Sequence, residues 1–457
     1  MPKVYRGEGD VNQSPLRQAW NERLSDETTH ILKEDEHYFL HQSLSTPCLD
    51  VIDRAEGSAF YNIEGKRYLD FHGNAVHQIG FQHPRVIEAM KQQLDTLSFS
   101  TRRYTNRNAI ALAKRLTELA PDPLNKSLFA PGATSAIGMA LKLARIATGK
   151  HKTVSMWESF HGASMDALSV GGEAHFRRQI GPLLPGAIHV PPIQNYRPNW
   201  EGAGLDDRQL ASHIEYLFKQ DADIGAFVME TVRNTDVQLP SHAFMKKIRA
   251  LCTEYDVKLI FDETAIGMGR TGRWFAFEHY DIVPDMVVLG KGLGGAVYPM
   301  AALLVDDSLD VAKDTSLGHY THEKSPLGAT AALTMIDVIQ EEQLLEQLPL
   351  LEQKMKARLE DWKQRYSLIG DIRHIGFLFA VELVTDRTTK EKATAAAEAV
   401  MYHCLDHGLS FKVSKGNVLQ LCPPLNISHE DLDEALNILE SAIEDVQLRE
   451  ENTYAKS

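Results

Sequence analysis

The alternation of apolar and polar positions divides this 457-residue chain into regions of different character. Residues 1 to about 45 are polar and charged with few apolar positions, the pattern of an arm that docks on something larger. The run AFYNIEGKRYLDF, within 55–71, alternates with a period of two on either side of Glu64-Gly65 and predicts a β-hairpin. Apolar spacings of three and four follow at 84–97 and 108–119 and predict amphipathic helices. The middle of the chain then alternates: a helix at 135–148, strands at 153–157 and 224–231, a helix at 242–255, and apolar strands at 258–265, 286–293 and 301–306. Strands separated by helices predict βαβ units, an α/β fold whose mainly parallel sheet carries helices on both faces. Ligands of such sheets sit beyond the carboxyl ends of the strands. After residue 328 the pattern changes to long amphipathic helices over 328–365 with one break, short strands around 372–384 and 409–421, and a helix over 428–446. The charged tail LREENTYAKS is expected to fray. These shifts predict three regions: 1–70, an N-terminal arm and part of a small domain; 71–327, a large α/β domain; and 328–457, a C-terminal small α+β domain.

Composition changes the picture little. The apolar and charged fractions, 43% and 24%, are those of an average globular protein. The 62 acidic and 48 basic residues give a net charge of -14, which disfavours nucleic acid and acidic membrane as partners while leaving room for a small anionic substrate held by a local cationic cluster. Cys48, Cys252, Cys404 and Cys422 lie far apart with no metal-ligand spacing, so no disulfide framework and no metal is expected. The N-terminus lacks an apolar targeting segment, and the expected location is cytoplasmic.

The chemistry concentrates in two strand ends. LIFDE at 259–263 places Asp262 at the end of an apolar strand, and VVLGKGLGG at 287–295 places Lys291 at the end of another. Burying either charge is costly without a partner. One reading is a structural Asp/Lys ion pair. The other is a pyridoxal-5'-phosphate (PLP) site, which needs a lysine to form the Schiff base and a carboxylate to keep the pyridine nitrogen protonated.

The blocks FDETAIGMGRTGRWFAFEH and PDMVVLGKGLGGAVYPMAALLV resemble the signature of the class III aminotransferases. RAEGSAFYNIEGKRYLDFHGN, GFQHPRV, THEKSPLGATAAL, IRHIGFLFAVEL and LCPPLNISHEDLDEAL resemble further blocks of that family in the same order, from about residue 55 to 440. The resemblance implies a PLP-dependent transferase of fold type I, a homodimer with shared active sites, and Lys291 and Asp262 in the catalytic roles. It implies a phosphate cup at Ala133 and Thr134, where PGATSAIG opens a helix, and Phe160 stacked on the ring. It also places His161, Glu230 and Thr264 at the cofactor, and Thr321 at the phosphate of the neighbouring subunit's cofactor.

Departures from the family pattern bear on the reaction. Ala265 stands where a Gln usually contacts the cofactor, Glu230-Thr231 replaces Glu-Pro, and Gln420 stands where many members carry an Arg that grips a substrate carboxylate. An α-amino-acid or α-keto-acid partner is therefore disfavoured. Arg233, His72 and Lys412 are the candidate substrate contacts, with Arg102-Arg103 and Lys324 as further cations. The resemblance extends to the amino-phosphonate and phosphoethanolamine lyases of the family. It implies an ammonia-lyase that converts (R)-1-hydroxy-2-aminoethylphosphonate to phosphonoacetaldehyde and ammonia. The alternative is an aminotransferase that uses an ω-amino acid or 2-aminoethylphosphonate with a keto-acid acceptor.

Overall fold

The computed structural model describes residues 14–42, 48–197 and 206–454. Its centre is a seven-stranded sheet in the order Leu124–Ala130, Ala301–Asp306, Met286–Leu289, Lys258–Asp262, Ile224–Glu230, Lys152–Met156, Ala187–Val190. The last five of these run parallel, and Ala301–Asp306 is antiparallel to both its neighbours. Side chains of successive strand residues point to opposite faces, and the core divides accordingly. Ala226, Val228, Ile260, Met286 and Val288 pack under the helix Ala133–Thr148. Phe227, Met229, Leu259, Phe261, Val287 and Leu289 join the core formed with Asp207–Gln220, His242–Glu254 and Pro326–Glu341. The α/β fold expected from the alternation of strands and helices is the one observed.

Two smaller sheets flank this centre. The expected hairpin is present as Ala59–Asn62 and Arg67–Asp70, with Gly65 at φ +81° in its turn, and Ile52–Glu56 adds a strand on its outer side. Leu409–Ser410 pairs in parallel with Leu69–Asp70, so residues far apart in sequence share that sheet. The other sheet joins Ile369–Ile375, Leu378–Asp386, Val418–Leu421 and Lys412–Ser414, with Glu391–Lys392 at its margin.

Several boundaries differ from the sequence expectation. The strand expected over 258–265 ends at Asp262, because the Asp262 carboxylate accepts the Thr264 N–H at 3.0 Å and closes a turn. The strand expected over 286–293 ends at Leu289, where Lys291, at φ +44°, opens a 3-10 turn over Lys291–Gly294. Leu124–Ala130 carries no apolar alternation and is held by its pairing with Ala301–Asp306. The last helix, expected to stop at Val446, runs His429–Tyr454 and takes in most of the charged tail. Of the polar N-terminal arm, Pro15–Asn21 and Asp26–Tyr38 are helical, whereas 1–13, 43–47 and tail residues 455–457 lie outside the described residues.

Glu263, buried beside Asp262, pins the turn Ala276–Tyr280 to the sheet. Its carboxyl accepts the Thr231 hydroxyl at 2.8 Å, the Ala276 N–H at 2.7 Å and the Phe277 N–H at 2.8 Å. Glu263→Ala leaves three buried donors without an acceptor. It is expected to destabilise the protein by about 2–4 kcal/mol, read as a lower urea midpoint at unchanged slope.

Candidate active site

A cavity of about 1250 Å³ opens beyond the carboxyl ends of the parallel strands. Its floor follows from strand register: Glu230 pairs with Asp262 across one pair of strands, and Asp262 with Val288 across the next. Three residues further on, the chain turns at Lys291, so two carboxyls and one amine converge on one wall.

Asp262 is 6% exposed. Its Oδ2 accepts from His161 Nδ1 at 2.9 Å, and its Oδ1 accepts from the Thr264 hydroxyl at 2.5 Å. Burial pushes the Asp262 pKa up, but these donors outweigh it and the net shift is downward, so the group is a fixed anion. His161 is buried with its Nε2 unpartnered. Glu230 has the opposite surroundings: Phe160 N–H at 3.3 Å and Asn234 N–H at 3.0 Å are its donors, burial raises its pKa, and neighbouring Asp262 adds to the rise.

Lys291 reaches solvent through the cavity. The desolvating protein around it lowers its amine pKa; Asp262 and Glu230 oppose that shift, and Lys412 reinforces it. His72 lies in the field of the same two lysines. Desolvation, then Lys412, then Lys291 depress its pKa to about 3, so at neutral pH it is an uncharged imidazole, its Nε2 2.8 Å from Asn74 Oδ1.

At another part of the wall the helix Ala133–Thr148 begins at Gly132, which offers no side-chain cap. The first-turn N–H groups of Ala133 and Thr134 lack intrahelical acceptors and, with the helix dipole, suit a dianion. Gly162, at φ +130°, lies directly against Thr134: an added Cβ would stand 2.4 Å from the Thr134 Oγ1. Gly292 is equally confined by Gln78.

Most residues singled out from the sequence thus meet in one cavity: His72, Ala133, Thr134, Phe160, His161, Glu230, Asp262, Thr264, Lys291 and Lys412 all line it, as do Ala265 and Gln420. Arg233 is a correction. Its Nε and NH2 lie 2.6 and 2.7 Å from the two oxygens of Asp236 and its NH1 lies 3.1 Å from Glu158, so its charge is already satisfied and a substrate anion would have to displace a buried carboxylate. Arg102 pairs with Glu323. Thr321 is exposed and lies outside the wall of its own chain's cavity. The Gln420 amide donates to the Asn234 carbonyl at 2.7 Å.

The sequence reading missed Asn74, which orients His72, and the ion pairs of Lys415 with Glu158 and Glu173 at the cavity rim. No short-range spacing joins positions 158, 173 and 415. Among the described residues no helix is long and apolar enough to cross a membrane.

The aminotransferase class-III family model matches residues 41–443. The chain is 50% identical to the (R)-1-hydroxy-2-aminoethylphosphonate ammonia-lyase of Vibrio splendidus (strain 12B01), covering 96% of this chain and 95% of that one. It is 30% identical to a probable 4-aminobutyrate aminotransferase of Bacillus subtilis (strain 168), over 91% and 98% of the two chains. Among solved structures, the omega transaminase from Pseudomonas jessenii in complex with PMP superposes with a TM-score of 0.84 at 27% identity, covering 91% of this chain and 98% of that chain.

The charges around Lys291 generate a test on the protein free of small molecules. Covalent labelling by a water-soluble aldehyde and borohydride should rise through a pH midpoint below that of ordinary lysines, with the label on the Lys291 peptide. Lys412→Gln removes a like charge and should move the midpoint up; Asp262→Asn removes an opposite charge and should move it down.

Proposed function

Because this chain belongs to the class III aminotransferase family, whose cofactor is pyridoxal 5'-phosphate, we propose that it is a PLP-dependent ammonia-lyase converting (R)-1-hydroxy-2-aminoethylphosphonate to phosphonoacetaldehyde and ammonia. The observation that carries this reading is the 50% identity to a lyase of that name over nearly the whole of both chains, against about 30% to an aminotransferase. The surroundings of the cavity support it. Lys412 lines the wall in register with Gln420, and no carboxylate pairs with it among the described residues. A phosphonate dianion has a cation to meet there, with the neutral His72 beside it as a further polar contact.

The residues present fit the cofactor. Lys291 would anchor it covalently, Asp262 would hold its ring nitrogen protonated, the N–H groups at Ala133 and Thr134 would take its phosphate, and Phe160 would cover its ring. Thr264 acts by fixing the Asp262 carboxylate, and His161 by keeping that carboxylate ionised. When bound, PLP supplies an electron-withdrawing ring that makes the carbon bearing the substrate nitrogen acidic. The lowered pKa of Lys291 favours the neutral amine that removes that proton. Gln420, neutral and tied to Asn234, offers no cation to a carboxylate and so disfavours amino-acid substrates.

We place Thr321 at the cofactor phosphate of a second subunit, which makes the enzyme a homodimer with shared sites; its exposure and its distance from its own cavity wall support this. We divide the chain at 70/71 and 327/328. The pairing of Leu409–Ser410 with Leu69–Asp70 supports assigning the first region to the small domain. A cytoplasmic location accords with the acidic composition.

The test is incubation of the holoenzyme with the hydroxyphosphonate and no keto acid. Sustained release of ammonia and aldehyde is expected. One half-turnover that stops until a keto acid is added would establish the aminotransferase instead. Lys291→Ala should abolish release. Lys412→Gln should raise the KM about 10–100-fold with a smaller effect on kcat, the loss of one charge-assisted contact.

A further inference from the structure

Expelling hydroxide needs more than a base. When Lys291 takes the proton from the carbon bearing nitrogen, the electron pair left behind forms the double bond to the neighbouring carbon, whose C–O bond breaks. Unassisted, the oxygen departs as hydroxide, the anion of a very weak acid and so a poor leaving group; a positioned acid turns it into water. Water then hydrolyses the released enamine to aldehyde and ammonia, so the whole sequence consumes and returns one water.

The cavity wall carries few groups suited to that acid. Lys291 must be unprotonated to act as the base. Asp262 is an anion, held so by His161 and Thr264. His72 is a neutral imidazole, and a neutral imidazole N–H is a feeble acid. Lys412 is assigned to the phosphonate. Of the other carboxyls lining the cavity, Glu158 and Glu173 pair with Lys415, Asp236 with Arg233 and Glu382 with Arg373, whereas Glu230 ends its strand next to Asp262 in register and, among the described residues, accepts hydrogen bonds only from the backbone N–H groups of Phe160 and Asn234.

We propose that Glu230 is the proton donor to the leaving hydroxyl, an inference that rests on the lyase reading above.

Two adjacent carboxyls with opposed environments favour different protonation states, Asp262 the anion and Glu230 the acid. The groups facing Glu230 are His161 from the loop beyond Lys152–Met156, Asp262 from the adjacent strand, Lys291 from the turn beyond Met286–Leu289, and Arg233 from the turn after its own strand. His161 and the two N–H groups favour the anion. Burial and Asp262 favour the acid and prevail, while Arg233 is largely neutralised by Asp236 and Glu158. After elimination Lys291 carries the carbon proton and Glu230 has lost one. Transfer from the ammonium to the carboxylate, directly or through water, restores both.

Glu230→Gln nearly preserves volume but cannot give a proton. With the hydroxyphosphonate, ammonia release should fall about 10²–10⁴-fold, while elimination from 1-fluoro-2-aminoethylphosphonate, whose fluoride leaves without a proton, should change less than about tenfold. Washout of deuterium from the carbon bearing nitrogen should persist in E230Q. In the cofactor-free proteins, the protonated-carboxyl stretch in the infrared difference between wild type and E230Q should persist to a higher pH than that of an ordinary glutamic acid. Wild type that releases no ammonia from the hydroxyphosphonate overturns the lyase reading and the donor with it. Wild type that turns over while E230Q keeps pace, or loses both substrates alike, overturns the donor alone, as does an infrared band that is lost at the pH of an ordinary glutamic acid.

Discussion

The site depends on one buried anion. Asp262 ends a strand inside the protein, where an isolated carboxylate would protonate, yet the His161 ring and the Thr264 hydroxyl and N–H surround it with donors and keep it charged. That fixed negative charge raises the pKa of both its neighbours, opposing the desolvation that lowers Lys291 and adding to the burial that raises Glu230. The same Thr264 N–H bond stops the strand, so the interaction that sets the charge also sets where the backbone turns into the cavity.

Around this anion the cavity separates its duties in space. Uncapped N–H groups at the start of Ala133–Thr148 provide a place for a phosphate, the Lys291 turn provides an amine, and Lys412 with the neutral His72 provides a place for a second anion. Two lysines share the cavity, and Lys412 makes protonation of Lys291 less favourable.

The family's usual carboxylate-gripping Arg is replaced here by Gln420, and the structure shows what the amide does: it donates to the Asn234 carbonyl. Arg233, next to Asn234 in the chain, does not take over the missing charge, because Asp236 three residues later holds it in a bidentate pair. Cationic character shifts to Lys412, on the strand paired with that of Gln420.

The alternation of apolar runs and helical periods was enough to read the α/β centre, because period-two and period-3.6 patterns are local properties of the chain. It was not enough to find Leu124–Ala130, whose exposed face hides its strand character, or to end the strands at Asp262 and Leu289, which a side-chain turn and a left-handed lysine decide. In the site, the residue types of the Asp262 and Lys291 segments are unusual enough in apolar strands to announce chemistry by themselves. Which cation stays free for a substrate, Arg233 or Lys412, depends on which carboxylates lie within reach. The His161 partner of Asp262, and the lysine across the rim from Glu158 and Glu173, come from distant segments that only the packed sheet brings together. Sequence by itself determined the elements and the reactive groups, since covalent identity and local periodicity are written along the chain. Tertiary structure decided their protonation and availability, because burial and ion pairing depend on distances between segments that the chain order does not contain.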